Sequence, residues 1–235
     1  RQLGLAHAIT NYLAAAKFHF VTIDGEIFFY LDPQIGIGQA YHSAGANGFD
    51  GLCRITPDGK LHIHTGVGNL GTYSYLATSR VAAEVLGYDW DNCVIERGGT
   101  LKNMPWNLGQ FGSLTSFCMT RTNYVAAIDA LEKLLEIAAI ELGGSPEDYD
   151  IGDERVYLKS DPSQFISYAA AATVAIELGG KYSGQIAPED INSMTAHSVA
   201  ALAGTGLIGV AKDNLEKNGT VPALAVGFIE IELDL

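Results

Sequence analysis

The apolar positions of this chain fall into strand-like alternations and helical recurrences that follow one another without a fixed order. Leu5 to Ala16 carries a helical pattern. Phe18–Ile23 and Ile27–Leu31 read as strands around Asp24-Gly25-Glu26, a hairpin signal. A glycine-rich stretch from Gly36 to Gly51 follows, and then Leu52–Ile55 and Leu61–Thr65 flank Pro57-Asp58-Gly59, a second hairpin signal. Thr72 to Leu86 predicts a helix with Thr72 as its N-cap and Gly87 as its C′ residue. Cys93–Glu96 reads as a strand, and Gly98 to Gly112 as an irregular loop. Ser116 to Leu142 is the clearest long helix: Tyr124, Ile128, Leu131, Leu135, Ala138 and Leu142 recur at three- and four-residue steps and define one apolar face. Arg155–Leu158 is a short strand, and Ser163 is placed to cap a helix from Phe165 to Leu178. Val199–Val210 is apolar but interrupted by Gly204, Gly206 and Gly209, and its pattern leaves the element type undecided. Leu224 to Leu235 is strand-like, with Phe228, Ile229, Ile231 and Leu233 among Glu230 and Glu232. Strands and helices mix without strict βαβ alternation and hairpins are frequent, which predicts an α+β fold of mixed sheets and packed helices.

Composition bounds this picture. With 235 residues, 48% hydrophobic and only 17% charged, the chain can bury a sizeable core as one large domain or two tightly fused halves. The net charge of −13 excludes the basic footprint that a nucleic-acid groove needs. Small acidic clusters at Glu147-Asp148-Tyr149-Asp150 and Glu230-Ile231-Glu232-Leu233-Asp234 read as solvated surface. No stretch approaches the apolar length of a membrane span and no secretory signal is visible, so a cytoplasmic location is expected. The chain begins at Arg1, which is compatible with a removed targeting peptide. Cys53, Cys93 and Cys118 form no C-x-x-C pair, which argues against a zinc ribbon or an iron–sulfur cluster here.

The most informative segment is strand, glycine turn and helix over residues 61–87. Gly66, Gly68 and Gly71 fit G-x-G-x-x-G ahead of a helix whose unpaired N–H groups and dipole attract phosphate. By spacing alone, a bound ligand and a tight turn without one are equally supported; Glu96 can serve as the ribose acid of a nicotinamide-dinucleotide site. His62 and His64 share one strand face, but no third metal ligand is identifiable and no metal site is assigned. Trp90 is expected to pack beside helix 72–86 and Trp106 within its loop, and Ser113 lacks the G-x-S-x-G elbow of a hydrolase.

Longer runs carry a family resemblance. Asp58-Gly59-Lys60-Leu61-His62-Ile63-His64-Thr65-Gly66, Asn69-Leu70-Gly71-Thr72-Tyr73-Ser74, Val81-Ala82-Ala83-Glu84-Val85-Leu86-Gly87, Gly112-Ser113-Leu114-Thr115-Ser116 with Val125-Ala126-Ala127-Ile128, and Gly227-Phe228-Ile229-Glu230-Ile231-Glu232-Leu233-Asp234 together resemble, in order and spacing, the molybdopterin-binding large subunits of the xanthine dehydrogenase, aldehyde oxidase and CO dehydrogenase group. The resemblance covers residues 36–235 as a partial molybdopterin-binding domain and leaves 1–35 as an N-terminal segment. It implies a molybdenum ion held by a pterin, usually as a dinucleotide, with cofactor contacts from Gly68, Asn69, Gly71 and Thr72 in one loop and from Gln110, Gly112, Ser113, Thr115 and Ser116 in the other. It also implies hydroxylation of a carbon centre of a small-molecule substrate, with water as the oxygen source. Iron–sulfur clusters and FAD would sit on partner subunits. The glutamine typical of the first loop has no clear counterpart, although Asn69 stands nearby. The G-x-G-E segment that carries the family's active-site glutamate does not occur, so no catalytic residue is assigned and other chains are expected to complete the subunit. A non-catalytic scaffold subunit and a dinucleotide-binding protein using Gly66, Gly68 and Gly71 remain as alternatives. Substrate, molybdenum versus tungsten, and hydroxylation versus hydration or reduction are not legible.

Overall fold

The computed structural model describes residues 18–23, 26–31, 34–43, 45, 48–99, 102–107, 109–111, 114–217 and 222–231, with 18–43 and 222–231 as backbone alone. The expected helix Leu5–Ala16, and with it Gly112 and Ser113, lies outside these residues. In chain order the strands are β1 (Phe18–Ile23), β2 (Glu26–Leu31), β3 (Gln34–Ser43), β4 (Asp50–Ile55), β5 (Leu61–Thr65), β6 (Cys93–Arg97), β7 (Tyr149–Gly152), β8 (Arg155–Leu158), β9 (Asp161–Ser167), β10 (Leu207–Lys212) and β11 (Pro222–Ile231). The helices are α1 (Ser74–Leu86), α2 (Thr120–Leu142), α3 (Tyr168–Leu178) and α4 (Ser193–Leu202). The fold is α+β with mixed sheets, as the sequence pattern predicts.

Two compact units divide the chain: Arg1–Tyr41 with Leu224–Leu235, and His42–Ala223. In the first, β1 and β2 form an antiparallel hairpin, and β3 pairs with β11. The second unit holds a four-stranded sheet in the order β10-β4-β5-β6. Its first two pairings are antiparallel, while β5 and β6 run parallel and are joined through α1, so one βαβ unit does occur. A three-stranded antiparallel sheet β7-β8-β9 lies apart from it. Asp153 and Glu154, both left-handed (φ 51° and 55°), make the tight turn between β7 and β8.

The core forms where α2 lies against the four-stranded sheet. Cys53, Ile55, Leu61 and Ile63 from the sheet meet Ala126, Ala127, Ala130, Leu134, Ile137 and Ala138 of α2, with α1 and α3 adding Ala82, Ala83, Leu86, Ala171, Ala172 and Ala175. The helix comes unusually close because the strands carry glycines beneath it. A Cβ at Gly51 of β4 would collide with the Thr122 carbonyl oxygen, and one at Gly209 of β10 with that of Ala126. The Cys53 thiol rests on the same carbonyl at 3.5 Å, and burial pushes its pKa up to about 12.

This contact corrects the expected apolar face of α2. Its buried positions are Thr122, Asn123, Ala126, Ala127, Ala130, Lys133, Leu134, Ile137 and Ala138, whereas Tyr124 and Leu142 are exposed. The face is turned because small residues, rather than large apolar ones, permit the approach. Lys133 is buried among them and donates to Asp129 Oδ2 (2.6 Å) and to the Ile208 carbonyl (2.8 Å), while Asp129 accepts from the Val210 amide (2.8 Å). The pair thereby takes up the Ile208 carbonyl and the Val210 amide on the outer edge of β10, where the Ile208 amide donates to the Tyr182 carbonyl (2.9 Å).

Other expected boundaries move. Residues 161–167 form β9 and not the start of a helix, because Phe165 and Ile166 pair with Tyr157 and Val156. The cap of α3 is Ser167, which accepts from the Ala170 amide (3.2 Å). The undecided segment 199–210 splits into the end of α4 and β10. Trp90 packs against the main core, with the Arg80 guanidinium of α1 4.7 Å from its ring, as expected, whereas Trp106 leaves its own loop and packs against a smaller cluster of Phe49, Val67, Tyr75, Cys118 and Met119.

Gly51→Ala should push α2 off the sheet and lower unfolding stability by about 2 kcal/mol, within the usual range for overpacking. Urea denaturation of the purified chain checks this, and a loss under about 0.5 kcal/mol would contradict the glycine contact.

Candidate functional site

Loop 66–73, between β5 and α1, and the segment 103–116, between β6 and α2, face one another. Each is tied down by side-chain amides. The Gly66 amide donates to Asn107 Oδ1 (2.6 Å) and the Leu70 amide to Gln110 Oε1 (2.9 Å). The Gly71 and Tyr73 amides both donate to Asn69 Oδ1, at 3.0 Å each. Gln110 Nε2 in turn donates to Ser74 Oγ (2.9 Å), which also receives the Thr72 hydroxyl at 3.2 Å. The two loops are thus stitched together by Asn107 and Gln110.

The helix start departs from expectation. The residue before α1 is Tyr73, held in the left-handed region (φ 53°), and no side chain caps the helix. Thr72 is one residue too early to cap it, and its hydroxyl turns to Ser74 instead. A tyrosine adopts this conformation at a cost, which the Asn69 hydrogen bond to its amide helps offset.

The second loop enters its helix through a π turn at Thr115–Met119, starting from Leu114 rather than Ser116. Such a turn widens the helix by one residue and is often found at functional sites. Cys118 and Met119 are thereby buried with Phe49, Val67 and Tyr75 in a second apolar cluster, packed by Ile95, Trp106, Leu114 and Phe117. Arg121 anchors the turn through a bidentate pair to the buried Asp213 (2.7 and 2.9 Å) and a hydrogen bond to the Leu215 carbonyl.

Between the loops lies a cleft of about 260 Å³ lined by Leu70, Thr72, Ser74, Gln110, Phe111, Leu114, Thr115 and Ser116. Of the residues anticipated from sequence, it brings together Thr72, Gln110, Thr115 and Ser116. Gly68, Asn69 and Gly71 are exposed on the adjoining loop and do not line it; Asn69 folds back on its own loop. Ser74, Phe111, Leu70 and Leu114 were not anticipated, and only Ser74 carried a local signal, as a hydroxyl at a helix start. The described lining has no charged group. It offers hydroxyls, an amide and apolar walls, with Phe111 well exposed at 63%. The Thr115 hydroxyl is buried and finds no partner among the described residues. A Cβ at Gly68 would meet nothing within 4 Å, so the backbone there is open to approach.

The dinucleotide fingerprint fares less well. Although β5, α1 and β6 form a βαβ unit, the Gly66, Leu70 and Gly71 amides that would cradle a pyrophosphate are already engaged. Glu96 is also occupied. It receives Lys102 Nζ at 2.8 Å and lies 3.2 Å from His62 Nδ1, and the Lys102 hydrogen bond, with His62 beside it, holds its carboxyl below the usual range. His64 hydrogen-bonds the Asn103 carbonyl through Nδ1 (2.9 Å). Among the described residues no three His, Cys, Asp or Glu side chains are placed to hold a metal, and no helix is long and apolar enough to cross a membrane.

Comparison with known proteins accords with this geometry. Residues 32–234 match the molybdopterin cofactor-binding domain. No curated protein matches. Among solved structures, reconstituted CO dehydrogenase from Oligotropha carboxidovorans aligns with a TM-score of 0.59 and 21% identity over 83% of this chain and 23% of its own. A Cu,Mo-CO dehydrogenase in its carbon monoxide reduced state gives 0.57 and 21% over 83% and 24%. Quinoline 2-oxidoreductase from Pseudomonas putida 86 gives 0.55 and 18% over 84% and 24%. These likenesses establish the fold, and the chain spans about a quarter of the length of each of these structures.

Burial of His64 (4% exposed) lowers its pKa to about 4. The folded form therefore resists a proton that the unfolded chain accepts near pH 6.5. Its stabilising contribution is full above pH 6.5 and is lost as pH falls toward 4, by roughly 3 kcal/mol in all. Denaturation from pH 7 to 4 should show this slope, and His64→Gln should flatten it; an unchanged slope in the variant would refute the assignment.

Proposed function

This chain belongs to the molybdopterin cofactor-binding domain family, and from that premise we propose that the cleft between loops 66–73 and 103–116 holds part of molybdopterin within a molybdenum hydroxylase-type oxidoreductase. The observation that carries the reading is a cleft whose described polar groups are hydroxyls and an amide, one of its lining residues, Thr115, having a buried hydroxyl with no partner among the described residues. An orphan hydroxyl of this kind awaits an acceptor or a donor. A phosphoryl oxygen or a pterin heteroatom supplies one.

When bound, molybdopterin supplies a redox-active molybdenum centre, and the protein's task is to hold and orient it. Here Thr72, Ser74, Thr115 and Ser116 would present hydroxyls to the ligand, and the open backbone at Gly68 would let it approach. Gly112 and Ser113, next to the π turn, are assigned the same role from sequence. Gln110, already bonded across to loop 66–73, would set the width of the cleft rather than reach far into it. Leu70, Phe111 and Leu114 give an apolar wall for a flat ring.

At about 260 Å³ the cleft has room for a phosphoryl group and part of a ring system. That is below the ~300 Å³ at which pockets for drug-sized ligands begin. A dinucleotide form of the cofactor would extend beyond it onto other chain. No carboxylate or imidazole stands among the described lining residues, so in this reading the chain binds and orients, and the proton-transfer group comes from elsewhere. The reaction is the hydroxylation of a carbon centre with oxygen from water. Electrons leave through iron–sulfur and flavin groups on partner subunits, which other chains join to complete the molybdopterin subunit.

Metal and pterin analysis of the native complex tests this directly. Near-stoichiometric molybdenum with a released pterin nucleotide is expected; absence of both, with all partners retained, would overturn the proposal. Gly68→Val should leave the folding stability of the chain unchanged, because the space beside Gly68 is open, yet lower cofactor occupancy. Thr115→Val, nearly isosteric, should weaken pterin retention by about tenfold, the scale of one hydrogen bond to a charged acceptor. Full occupancy in both variants would place the cofactor elsewhere.

A further inference from the structure

We infer that Thr195, on α4 and absent from the cleft lining, is a positioning residue that sets both cleft loops through Asp50. The relay is continuous. Thr195 is fully buried, and its hydroxyl donates to Asp50 Oδ2 (2.6 Å) while accepting from the Trp106 amide (2.8 Å). Asp50 Oδ2 also receives the Asn192 amide at the start of α4 (2.8 Å). Through its backbone, Asp50 grips the second loop twice: its amide donates to the Trp106 carbonyl (3.2 Å) and its carbonyl accepts from Asn107 Nδ2 (2.9 Å). Asn107 then holds the Gly66 amide at 2.6 Å. One hydroxyl therefore connects α4, the first residue of β4, the second loop and the first glycine of the loop after β5.

The chemistry explains why a hydroxyl is needed. Only a group that donates and accepts at once can bridge a carboxylate oxygen and a backbone N–H. Asp50 is wholly buried, and its Oδ1 has no partner among the described residues, so the hydrogen bonds to Oδ2 are what hold the carboxylate in place. Removing the Thr195 hydroxyl leaves the Trp106 amide unpaired and the carboxylate with a single donor. The strain falls on residues 105–107, and from there on Gly66. The Gly66 backbone is also close to this loop, since a Cβ there would lie 3.2 Å from both the Pro105 carbonyl and Asn107 Oδ1.

The relay stands on geometry alone, while its consequence for cofactor retention rests on the function proposed above. The test is hydrogen exchange on the chain purified with its partners, read together with bound pterin. Thr195→Val should speed exchange of the Trp106 and Gly66 amides by about tenfold, the scale of one net hydrogen bond. The Ile63 amide, in the sheet core, should keep its wild-type rate, and pterin retention should drop. Thr195→Ser, which restores the hydroxyl, should return all of these to wild type. Asn107→Ala, on the loop itself, should release Gly66 but leave Trp106 protected, and serves if the α4 variant does not fold. A wild-type exchange rate at Gly66 in Thr195→Val, or in Asn107→Ala where the α4 variant does not fold, would overturn the relay, as would faster exchange of Ile63 equal to that of Gly66. Faster Gly66 exchange in a protein that never holds pterin would uphold the relay and remove the cofactor reading instead.

Discussion

The close seating of α2 on the sheet is the constraint from which the remaining structure follows. Backbone meets backbone at Gly51 and Gly209, with no side chain between. That contact fixes how far β4 and β10 lie from the helix axis. It also fixes where the N-terminal end of the helix emerges, and so where the π turn and the cleft can be. The alanines of α1, α2 and α3 extend the same economy of volume. A core built this way sets alanines among large side chains such as Leu134, Ile137 and Tyr168 and depends on fit, because dispersion contacts weaken steeply with small gaps.

Such a fit leaves little room for solvent, and the charged groups of α2 that lie beside it, Asp129, Lys133 and Arg121, are paired. Lys133 and Asp129 take up the Ile208 carbonyl and the Val210 amide on the outer edge of β10. Arg121 and Asp213 fasten the π turn to the end of the same strand, and the Arg121 guanidinium also lies over the Phe117 ring at 5.0 Å. These buried pairs carry little net stability of their own. Their work is directional: they fix the register of α2 against β10, and through it the entry of the second loop.

Much of the fold was legible because its signals are local. The Pro57-Asp58-Gly59 turn, the Gly87 helix stop and the paired strands β4 and β5 all stand where short-range chemistry puts them. The face of α2 was not legible, since alanine contributes little to an apolar stripe and the reason for choosing it lies on another strand. Residues 161–167 misled for a related reason: Ser163 and Ser167 are equally good caps, and only pairing of Phe165 with Tyr157 decides between them. In the site, the two loops could be read from their glycines and hydroxyls. Asn107, Phe111 and the π turn could not, because each is defined by what the opposite loop presents. Asn69 was read as a ligand contact, and its Oδ1 takes part in shaping its own loop.

The absence of charge from the described cleft lining bears on how an anion would arrive. The chain carries a net charge of −13, so its far field repels a phosphorylated molecule, and no lining cation draws it inward. Encounter would then be slowest in dilute buffer and quicken as salt screens the repulsion, the reverse of an electrostatically steered site. In the proposed site, a seated anion would be held by neutral dipoles at short range, which salt barely touches. Entry and residence would therefore answer to different conditions, with ionic strength governing the first and hydrogen-bond geometry the second.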